Sequence, residues 1–182
     1  MILIVAGPAG SGKTTVGALI AGRLRWRFAD ADPFHPPANV AKMREGIPLT
    51  DADRQPWLAA VGDWIDERIA ANQQGVVTCS ALKRAYRDTL LDGRPQAAMV
   101  FLTVSRQVLE ERLLGRPDHF FPRRLLDSQL ADLELPGPGE RVESVLSEGD
   151  PAQTAAKVIA AVWPSGEPSP EGPAAPGASS GA

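Results

Sequence analysis

The sequence predicts an α/β fold, in which a parallel β-sheet is covered by helices on both faces, and three observations lead to this prediction. Short apolar runs alternate along the chain with longer segments whose apolar residues recur at helical spacing. The first run, residues 2–6, is apolar at every position, which is typical of a central strand buried on both faces. A glycine-rich turn follows this run and leads directly into a helical segment. We therefore expect a three-layer domain that binds its ligands at the carboxyl ends of the strands.

The individual elements follow from apolar periodicity and from the residues that begin and end helices. Thr50, with Asp53 three residues later, resembles a capping box at the start of the longest helix. Asp150 followed by Pro151 is typical of the start of the last helix. The predicted strands are residues 2–6, 26–29, 76–79, 98–103 and 142–146. The predicted helices are residues 14–24, 36–44, 50–72, 83–91, 108–114, 122–133 and 150–163.

The length of 182 residues suits one domain with one hydrophobic core, which we place at residues 1–163. Residues 164–182 are rich in Pro, Gly, Ser and Ala and show no hydrophobic periodicity. Such a segment buries too little apolar surface to offset the entropy of ordering, so we predict a disordered tail.

Charge and cysteine content exclude several classes of protein. A net charge of −3 without a basic run argues against nucleic acid as a partner. Cys79 is the single cysteine and follows two valines, so we expect a buried thiol in a reducing compartment. Residues 1–6 lack a basic leader and are too short for a signal core or a membrane span. We therefore expect a cytoplasmic protein that binds neither nucleic acid nor membrane.

The glycine-rich turn matches the phosphate-binding P-loop at every fixed position and lies between a predicted strand and a predicted helix. Glycines allow the backbone amides to surround phosphate groups, and the helix adds the positive end of its dipole. We expect Lys13 to reach the outer phosphates of ATP and the Thr14 hydroxyl to bind Mg²⁺. The predicted nucleotide-binding residues of this segment are Gly7, Pro8, Ala9, Gly10, Ser11, Gly12, Lys13, Thr14 and Thr15.

Signatures elsewhere narrow the class of P-loop protein. The sequence contains neither the Asn-Lys-x-Asp nor the Asp-x-x-Gly of switch GTPases. The third strand ends at Cys79 and Ser80 without the aspartate of motor and transport ATPases. The best candidate carboxylates are Asp30 and Asp32, just after the second strand. One of them would hold Mg²⁺ through water. The other, for which we favour Asp32, would take or orient the proton of a substrate hydroxyl. The alternative is a turn that caps the following segment.

Several further stretches form a recognisable pattern with the P-loop. They are residues 30–36, 39–43, 46–54, 56–58, 79–88, 119–121, 128–129 and 133–134. On these stretches the chain resembles the gluconokinases, a family of P-loop sugar-acid kinases, over roughly residues 2–163. The resemblance implies a fold like that of nucleoside monophosphate kinases, with a five-stranded parallel sheet, helices on both faces and a small mobile lid. It also implies ATP-dependent phosphorylation of D-gluconate at its 6-hydroxyl, and a homodimer.

A sugar acid offers one carboxylate and a chain of hydroxyl groups, which cations and polar side chains bind. We expect Arg54, Lys83 and Arg87 to bind the carboxylate, the alternative being solvated helix faces. His35 would hydrogen-bond a hydroxyl, or else be packed or bonded to the backbone. The predicted substrate-binding residues are Asp32, His35, Arg54, Lys83, Arg87 and His119, and Lys13 and Asp32 are the predicted catalytic residues.

Arg112 and Arg116 flank a glycine, and the following segment is predicted as a lid over about residues 116–135. A closing lid would exclude water from ATP and bring an arginine to the transferring phosphoryl group. The alternative is charge on an exposed helix. Gluconokinases usually have glycine before the lid histidine, whereas Pro117-Asp118 precedes His119 here, and we expect Asp118 to face solvent.

Two other functions are also compatible with a P-loop in this position. Another small-molecule P-loop kinase, for shikimate or a nucleoside monophosphate, would use a similar cradle and lid. However, the triple glycine of shikimate kinases and the Asp-Gly-Phe-Pro-Arg of adenylate kinases are absent from the sequence. The second rival is a nucleotide-binding regulatory protein without turnover, against which the intact Lys13, Thr14 and Asp32 argue.

Overall fold

The computed structural model describes residues 1–114 and 123–168 of the chain. The described strands are β1 Ile2–Ala6, β2 Arg27–Asp30, β3 Gly75–Cys79, β4 Ala97–Thr103 and β5 Val142–Leu146. The described α-helices are α1 Lys13–Leu24, α2 Pro37–Arg44, α3 Asp51–Ala70, α4 Arg84–Leu91, α5 Arg106–Leu114, α6 Arg123–Asp132 and α7 Pro151–Val162, with a 3-10 turn at Asp32–Phe34.

The five described strands form one parallel sheet in the order β2-β3-β1-β4-β5. The predicted central position of β1 is confirmed, since β1 pairs with β3 on one side and β4 on the other. The chain leaves β1 toward β2 on one side of the sheet and later crosses to β4 on the other. The carboxyl end of β1 is therefore a switch point, where open α/β sheets bind ligands.

Side chains alternate between the two faces of each strand, and each face has its own core. On one face Ile2, Ile4 and Phe101 pack against residues of α3 and α4. On the other face Leu3 and Val5 pack in a cluster with residues of α1 and α7. The predicted three-layer arrangement with helices on both faces is confirmed, and the apolar run of β1 is explained by burial on both sides.

The predicted boundaries agree with the structure to within a few residues, and the largest informative difference lies before β2. Trp26, predicted as part of that strand, is buried and stacks edge-on against Trp163 at 5.5 Å. Arg25 turns the chain with a φ of 57°, which ends α1 and delays the strand to Arg27. The capping box of Thr50 and Asp53 and the N-cap of Asp150 are both confirmed.

Two predicted segments fall wholly or partly outside the described residues. Of the lid predicted at about residues 116–135, residues 116–122 lie outside the described part, and α6 covers most of the remainder. Of the predicted tail, residues 169–182 lie outside it, while Glu167 forms an ion pair with Arg23. Across residues 1–114 and 123–168, no helix is long and apolar enough to cross a membrane.

Candidate active site

The P-loop connects β1 to α1 and brings backbone close to neighbouring backbone. The amide of Gly7 donates to the carbonyl oxygen of Ser80 at 3.2 Å, which ties the loop to the end of β3. A Cβ atom at Gly7 would lie 2.9 Å from the carbonyl oxygen of Leu102, and the φ of 145° disfavours a side chain there. Gly12, the N-cap residue of α1, has a φ of 87°, which favours glycine by conformation although a Cβ there would have room.

Thr14 and Asp30 meet beside the loop. The Thr14 hydroxyl donates a hydrogen bond to Asp30 Oδ2 at 2.9 Å, and Asp30 Oδ1 accepts one from the amide of Asp32. Within the described residues no group of three acidic, His or Cys side chains could by itself hold a metal ion. Mg²⁺ is commonly bound by one or two protein oxygens together with water and substrate phosphates. The hydroxyl and carboxylate oxygens here are of the type that Mg²⁺ prefers, so the residues fit the ion.

A pocket of about 190 Å³ opens next to the P-loop. Lys13 and Ala9 line it from the nucleotide side, and the ammonium of Lys13 lies 3.4 Å from the carbonyl oxygen of Pro8. Asp32 lines the same pocket from the end of β2. The remaining lining residues are His35, Met43, Pro48, Leu49, Arg54, Trp57, Ser80, Leu82, Leu125, Ser128 and Gln129. The predicted catalytic pair thus shares one pocket with the polar side chains of His35, Arg54, Ser80, Ser128 and Gln129, which lie among apolar ones and which we call the polar wall.

His35 and Trp57 form one part of that wall. The two rings are stacked, with centroids 4.4 Å apart and planes 8° from parallel. The indole Nε1 of Trp57 donates to the carbonyl oxygen of Ala31 at 2.7 Å, which fixes the stack beside Asp32. Trp57 is buried and also lines the pocket. Burial lowers the pKa of His35, with Asp32 acting in the opposite sense.

Arg54 belongs to an ionic cluster at the far end of the pocket. Its Nη1 donates to Asp132 of α6 at 2.9 Å and to the Tyr86 hydroxyl at 3.2 Å. Lys83 donates to Asp51 at 2.7 Å and lies 3.4 Å from Asp132. The hydrogen bond to Asp51 raises the pKa of Lys83 above its usual range, and the same bond lowers the pKa of Asp51. Arg54 lines the pocket, whereas Lys83 does not.

The structure places Arg87 differently from what was predicted. It was predicted to bind the substrate carboxylate, but its side chain is fully buried and does not line the pocket. Its Nε and Nη2 form two hydrogen bonds to the carboxylate of Glu140, at 2.8 and 3.0 Å. Its Nη1 donates to the carbonyl oxygens of Leu82 and Glu134 at 3.0 and 2.8 Å. With every part of the guanidinium engaged inside the protein, Arg87 supports the loop after β3 instead of binding substrate.

For three residues of the site, no role was predicted from the sequence. Gln129 of α6 lines the pocket and its Oε1 accepts a hydrogen bond from the amide of Ala9 at 2.9 Å. Asn39 is buried behind His35, and Ser80 lines the pocket at the end of β3. All three lie in stretches that carry the resemblance, and that pattern was the one signal that could have drawn attention to them.

Further predicted residues lie around the P-loop. Arg112 of α5 donates to the carbonyl oxygen of Gly10 at 3.2 Å, so its guanidinium lies beside the P-loop. Arg116 and His119, with the Pro117-Asp118 pair, lie outside the described residues. The Cys79 thiol is buried beneath the site and burial raises its pKa to about 12, in keeping with the predicted packed thiol.

Comparisons with known proteins show what the chain is similar to. The AAA domain family matches residues 2–136 of the chain. A gluconokinase from Gluconobacter oxydans (strain 621H) is 50% identical over 149 residues, which are 82% of this chain and 84% of that protein. The crystal structure of a gluconokinase from Sinorhizobium meliloti 1021 has 45% identity and a TM-score of 0.78, and the match covers 88% of this chain and 90% of that one.

A more distant likeness concerns the fold. The crystal structure of a shikimate kinase from Aquifex aeolicus has a TM-score of 0.55 at 18% identity, covering 89% of this chain and 96% of that one. At this identity the likeness shows a common P-loop kinase fold. The acceptor substrate has to be inferred from the residues of the site.

Proposed function

The chain belongs to the gluconokinase family of P-loop kinases, and on that premise we propose that it phosphorylates D-gluconate at the 6-hydroxyl, giving 6-phospho-D-gluconate and ADP. The observation that carries this proposal is that Lys13 of the P-loop, Asp32 and the polar wall line one and the same pocket. A phosphoryl donor and a hydroxyl acceptor bound on these two sides would meet between Lys13 and Asp32.

Asp32 is proposed to act on the acceptor hydroxyl. As the hydroxyl oxygen attacks the terminal phosphorus, a new O–P bond forms and the bond from that phosphorus to the bridging oxygen of ADP breaks. The hydroxyl proton passes to the Asp32 carboxylate. Asp32 is exposed to the pocket and its amide is held by Asp30, which supports this assignment.

Lys13 and the backbone amides of the P-loop are proposed to hold the phosphate groups of ATP. Thr14 would be the direct Mg²⁺ ligand, and Asp30 would hold the ion through water, since the two side chains already contact each other. When bound, Mg²⁺ neutralises charge on the phosphates. Arg112, next to Gly10, and Arg116 would add positive charge on the nucleotide side.

The polar wall is proposed to bind the sugar acid. Arg54 is the cation of this wall, whereas Lys13 lies on the nucleotide side, and the Arg54 guanidinium suits a carboxylate because it can form two parallel hydrogen bonds. Lys83 would act behind it, through the shared contacts with Asp51 and Asp132. His35 would bind a hydroxyl, and His119 would contact the substrate from the lid.

We further propose a lid at about residues 116–135 that closes over the pocket. Gln129 and Asp132, on the helix of that segment, contact the P-loop and Arg54 respectively, which supports such a closure. A closed lid would exclude water and so favour transfer to gluconate over hydrolysis of ATP. We also propose the homodimer that the family resemblance implies and the cytoplasmic location that the sequence predicts.

The proposed function is tested by a coupled assay of ADP formation with Mg²⁺-ATP and one acceptor at a time. D-gluconate should give turnover, while shikimate and AMP should give none above the acceptor-free rate. Lys13→Ala serves as the control and should abolish gluconate-dependent ADP formation. Turnover with shikimate or AMP alone would overturn the choice of acceptor. Nucleotide binding without any acceptor-dependent ADP would favour a regulatory protein.

A further inference from the structure

The His35 ring is held on two sides by residues that are not free to move. One face of the ring stacks on Trp57, whose indole is anchored to the carbonyl oxygen of Ala31. The Nδ1 edge faces the buried side chain of Asn39, with Nδ1 and Asn39 Nδ2 3.5 Å apart. Among the described residues, no side chain or backbone group forms a hydrogen bond with Nε2. The ring lines the pocket, so Nε2 is available to a bound molecule.

The orientation of the Asn39 amide is decided by a second contact. Asn39 Nδ2 lies 2.7 Å from the backbone carbonyl oxygen of Asp53, which can only accept a hydrogen bond. The amide nitrogen must therefore occupy this position, because an amide oxygen there would face another oxygen. The same nitrogen donates and cannot accept. It presents its second hydrogen toward His35 Nδ1 across 3.5 Å, a contact that favours an unprotonated Nδ1.

We infer that Asn39 is a positioning residue that holds His35 as the neutral tautomer with its proton on Nε2, aimed as a hydrogen-bond donor at a hydroxyl oxygen of the acceptor. The inference rests on the proposed gluconokinase activity for the identity of that acceptor. A polyol chain suits such a donor, because each hydroxyl oxygen can accept a hydrogen bond while donating its own proton elsewhere. Asp32, three residues earlier, is the acceptor-only group that would take the reacting proton, so the two side chains divide the roles.

The charged groups around His35 are consistent with a neutral ring. Asp32 faces it from the 3-10 turn and Arg54 from α3, and Lys13 lines the same pocket from α1. Burial lowers the pKa of His35, Arg54 lowers it further, and Asp32 raises it. A proton on Nδ1 would in addition point at the Asn39 amide hydrogens, so the contact with Asn39 opposes the charged form.

The tautomer can be measured directly, because the chain has only two histidines. Long-range ¹H–¹⁵N correlation spectra of the full-length protein at neutral pH identify which ring nitrogen carries the proton, and His119→Gln assigns the remaining signals to His35. We expect a protonated Nε2 and an unprotonated Nδ1. A proton on Nδ1, or an equal mixture of tautomers, would overturn the inference. This spectrum needs no turnover, so it decides the tautomer even if the acceptor is not gluconate.

Kinetics test the role of the donor. The carboxamide of His35→Gln can place an N–H near the Nε2 position, whereas His35→Phe keeps the stack on Trp57 and has no donor. We expect His35→Phe to raise KM for gluconate about three- to tenfold with kcat little changed, and His35→Gln to recover much of the loss. Equal KM values for wild type and both variants would show that His35 donates nothing to the substrate.

Asn39→Asp tests whether Asn39 acts through His35. A carboxylate would accept from Nδ1, so the spectrum should move to the Nδ1-protonated or charged ring, and KM should rise as in His35→Phe. In a His35→Phe background the same substitution should leave KM nearly unchanged, because its route of action is already gone. An unchanged tautomer in a folded Asn39→Asp protein, or additive effects in the double variant, would contradict a positioning role. If the wild-type protein gave no turnover with gluconate, the proposed function would be overturned, and with it the gluconate hydroxyl as the partner of His35. The spectrum would still decide the tautomer.

Discussion

The two walls of the pocket are built in different ways. The nucleotide side is a continuous stretch, residues 7–15, whose backbone path depends on glycines with positive φ. The acceptor side is assembled from side chains on several elements, among them Asp32, Arg54 and Gln129. Two of these side chains are held by partners distant along the chain, Arg54 by Asp132 and Gln129 by the Ala9 amide. The first wall is a local property of the sequence, and the second is a tertiary property of the fold.

This difference predicts which measured quantity a substitution in each part of the pocket should change. Changes to the residues that support the acceptor wall should act on stability or on KM for gluconate. Changes at the junction of the two walls should act on kcat. The three predictions that follow would sharpen or break this division, and they are ordered from the largest expected effect to the smallest.

Arg87→Ala should give the largest loss of stability. Arg87 is fully buried and Glu140 is 3% exposed, so truncation leaves a carboxylate buried without its partner. Such losses are about 3–5 kcal/mol in the free energy of unfolding. Arg87 also holds the carbonyl oxygens of Ala81 and Leu82, and Ala81 has an unfavourable φ of 35° that needs this support. Urea denaturation measures the change.

Arg54→Ala is the matched control for that experiment. Arg54 lines the pocket, so its loss should raise KM for gluconate about tenfold or more. Its effect on unfolding should be smaller than that of Arg87→Ala, because its partner Asp132 is 24% exposed and can be hydrated. If Arg87→Ala left the urea midpoint unchanged and raised only KM, the result would support the sequence-based prediction that Arg87 binds the substrate carboxylate.

Asp32→Asn should have the largest effect on the chemical step. Asparagine keeps the shape of the side chain but cannot accept the hydroxyl proton as a carboxylate does, so kcat should fall at least about a hundredfold. Asp30→Asn is the comparison variant. Because Asp30 contacts Thr14, its loss should raise the Mg²⁺ concentration needed for half-maximal rate more than it lowers kcat. Measuring both variants over a Mg²⁺ titration separates the roles, and the opposite pattern would exchange them.

The contrast between the two walls also explains what the sequence could predict. The P-loop, the central strand and the capping box depend on residues within a few positions of one another, and all were predicted from spacing. Arg87 and Glu140 are separated by 53 residues, and no local pattern distinguishes a helical arginine that turns inward from one that faces a ligand. The predicted role of Arg87 was wrong for that reason. Arg54, predicted by the same argument, does line the pocket.

Asn39 and Gln129 illustrate the same limit. Asn39 contacts the Asp53 carbonyl oxygen and Gln129 contacts the Ala9 amide, and each contact forms only when two separate segments of the chain are packed together. The sequence placed both residues in stretches typical of the family without indicating what they touch. Local patterns predict elements and backbone cradles well, whereas side-chain partners across elements require the tertiary structure.

The smallest effect concerns Asp53, which supports the acceptor wall from behind. Its carboxylate accepts hydrogen bonds from Lys42 at 2.7 Å and from the amide and hydroxyl of Thr50 at 2.9 and 2.8 Å. These contacts, led by Lys42, lower the pKa of Asp53 from 3.8 to about 2. A carboxyl group with a lowered pKa in the folded state stabilises the fold above the pKa of the unfolded chain, and this contribution is lost as the pH falls toward 2.

Asp53→Asn should therefore lower Tm at neutral pH, with a deficit relative to wild type that shrinks as the pH falls from about 4 toward 2. Asp63→Asn, on the exposed part of the same helix, removes an equal charge and in the described structure breaks no hydrogen bond, so its Tm should stay close to that of wild type throughout. Thermal melts of the three proteins between pH 2 and 7 provide the measurement. A Tm deficit of Asp53→Asn that stays constant over this range would mean that packing, and not the charge of Asp53, stabilises the segment behind the acceptor wall.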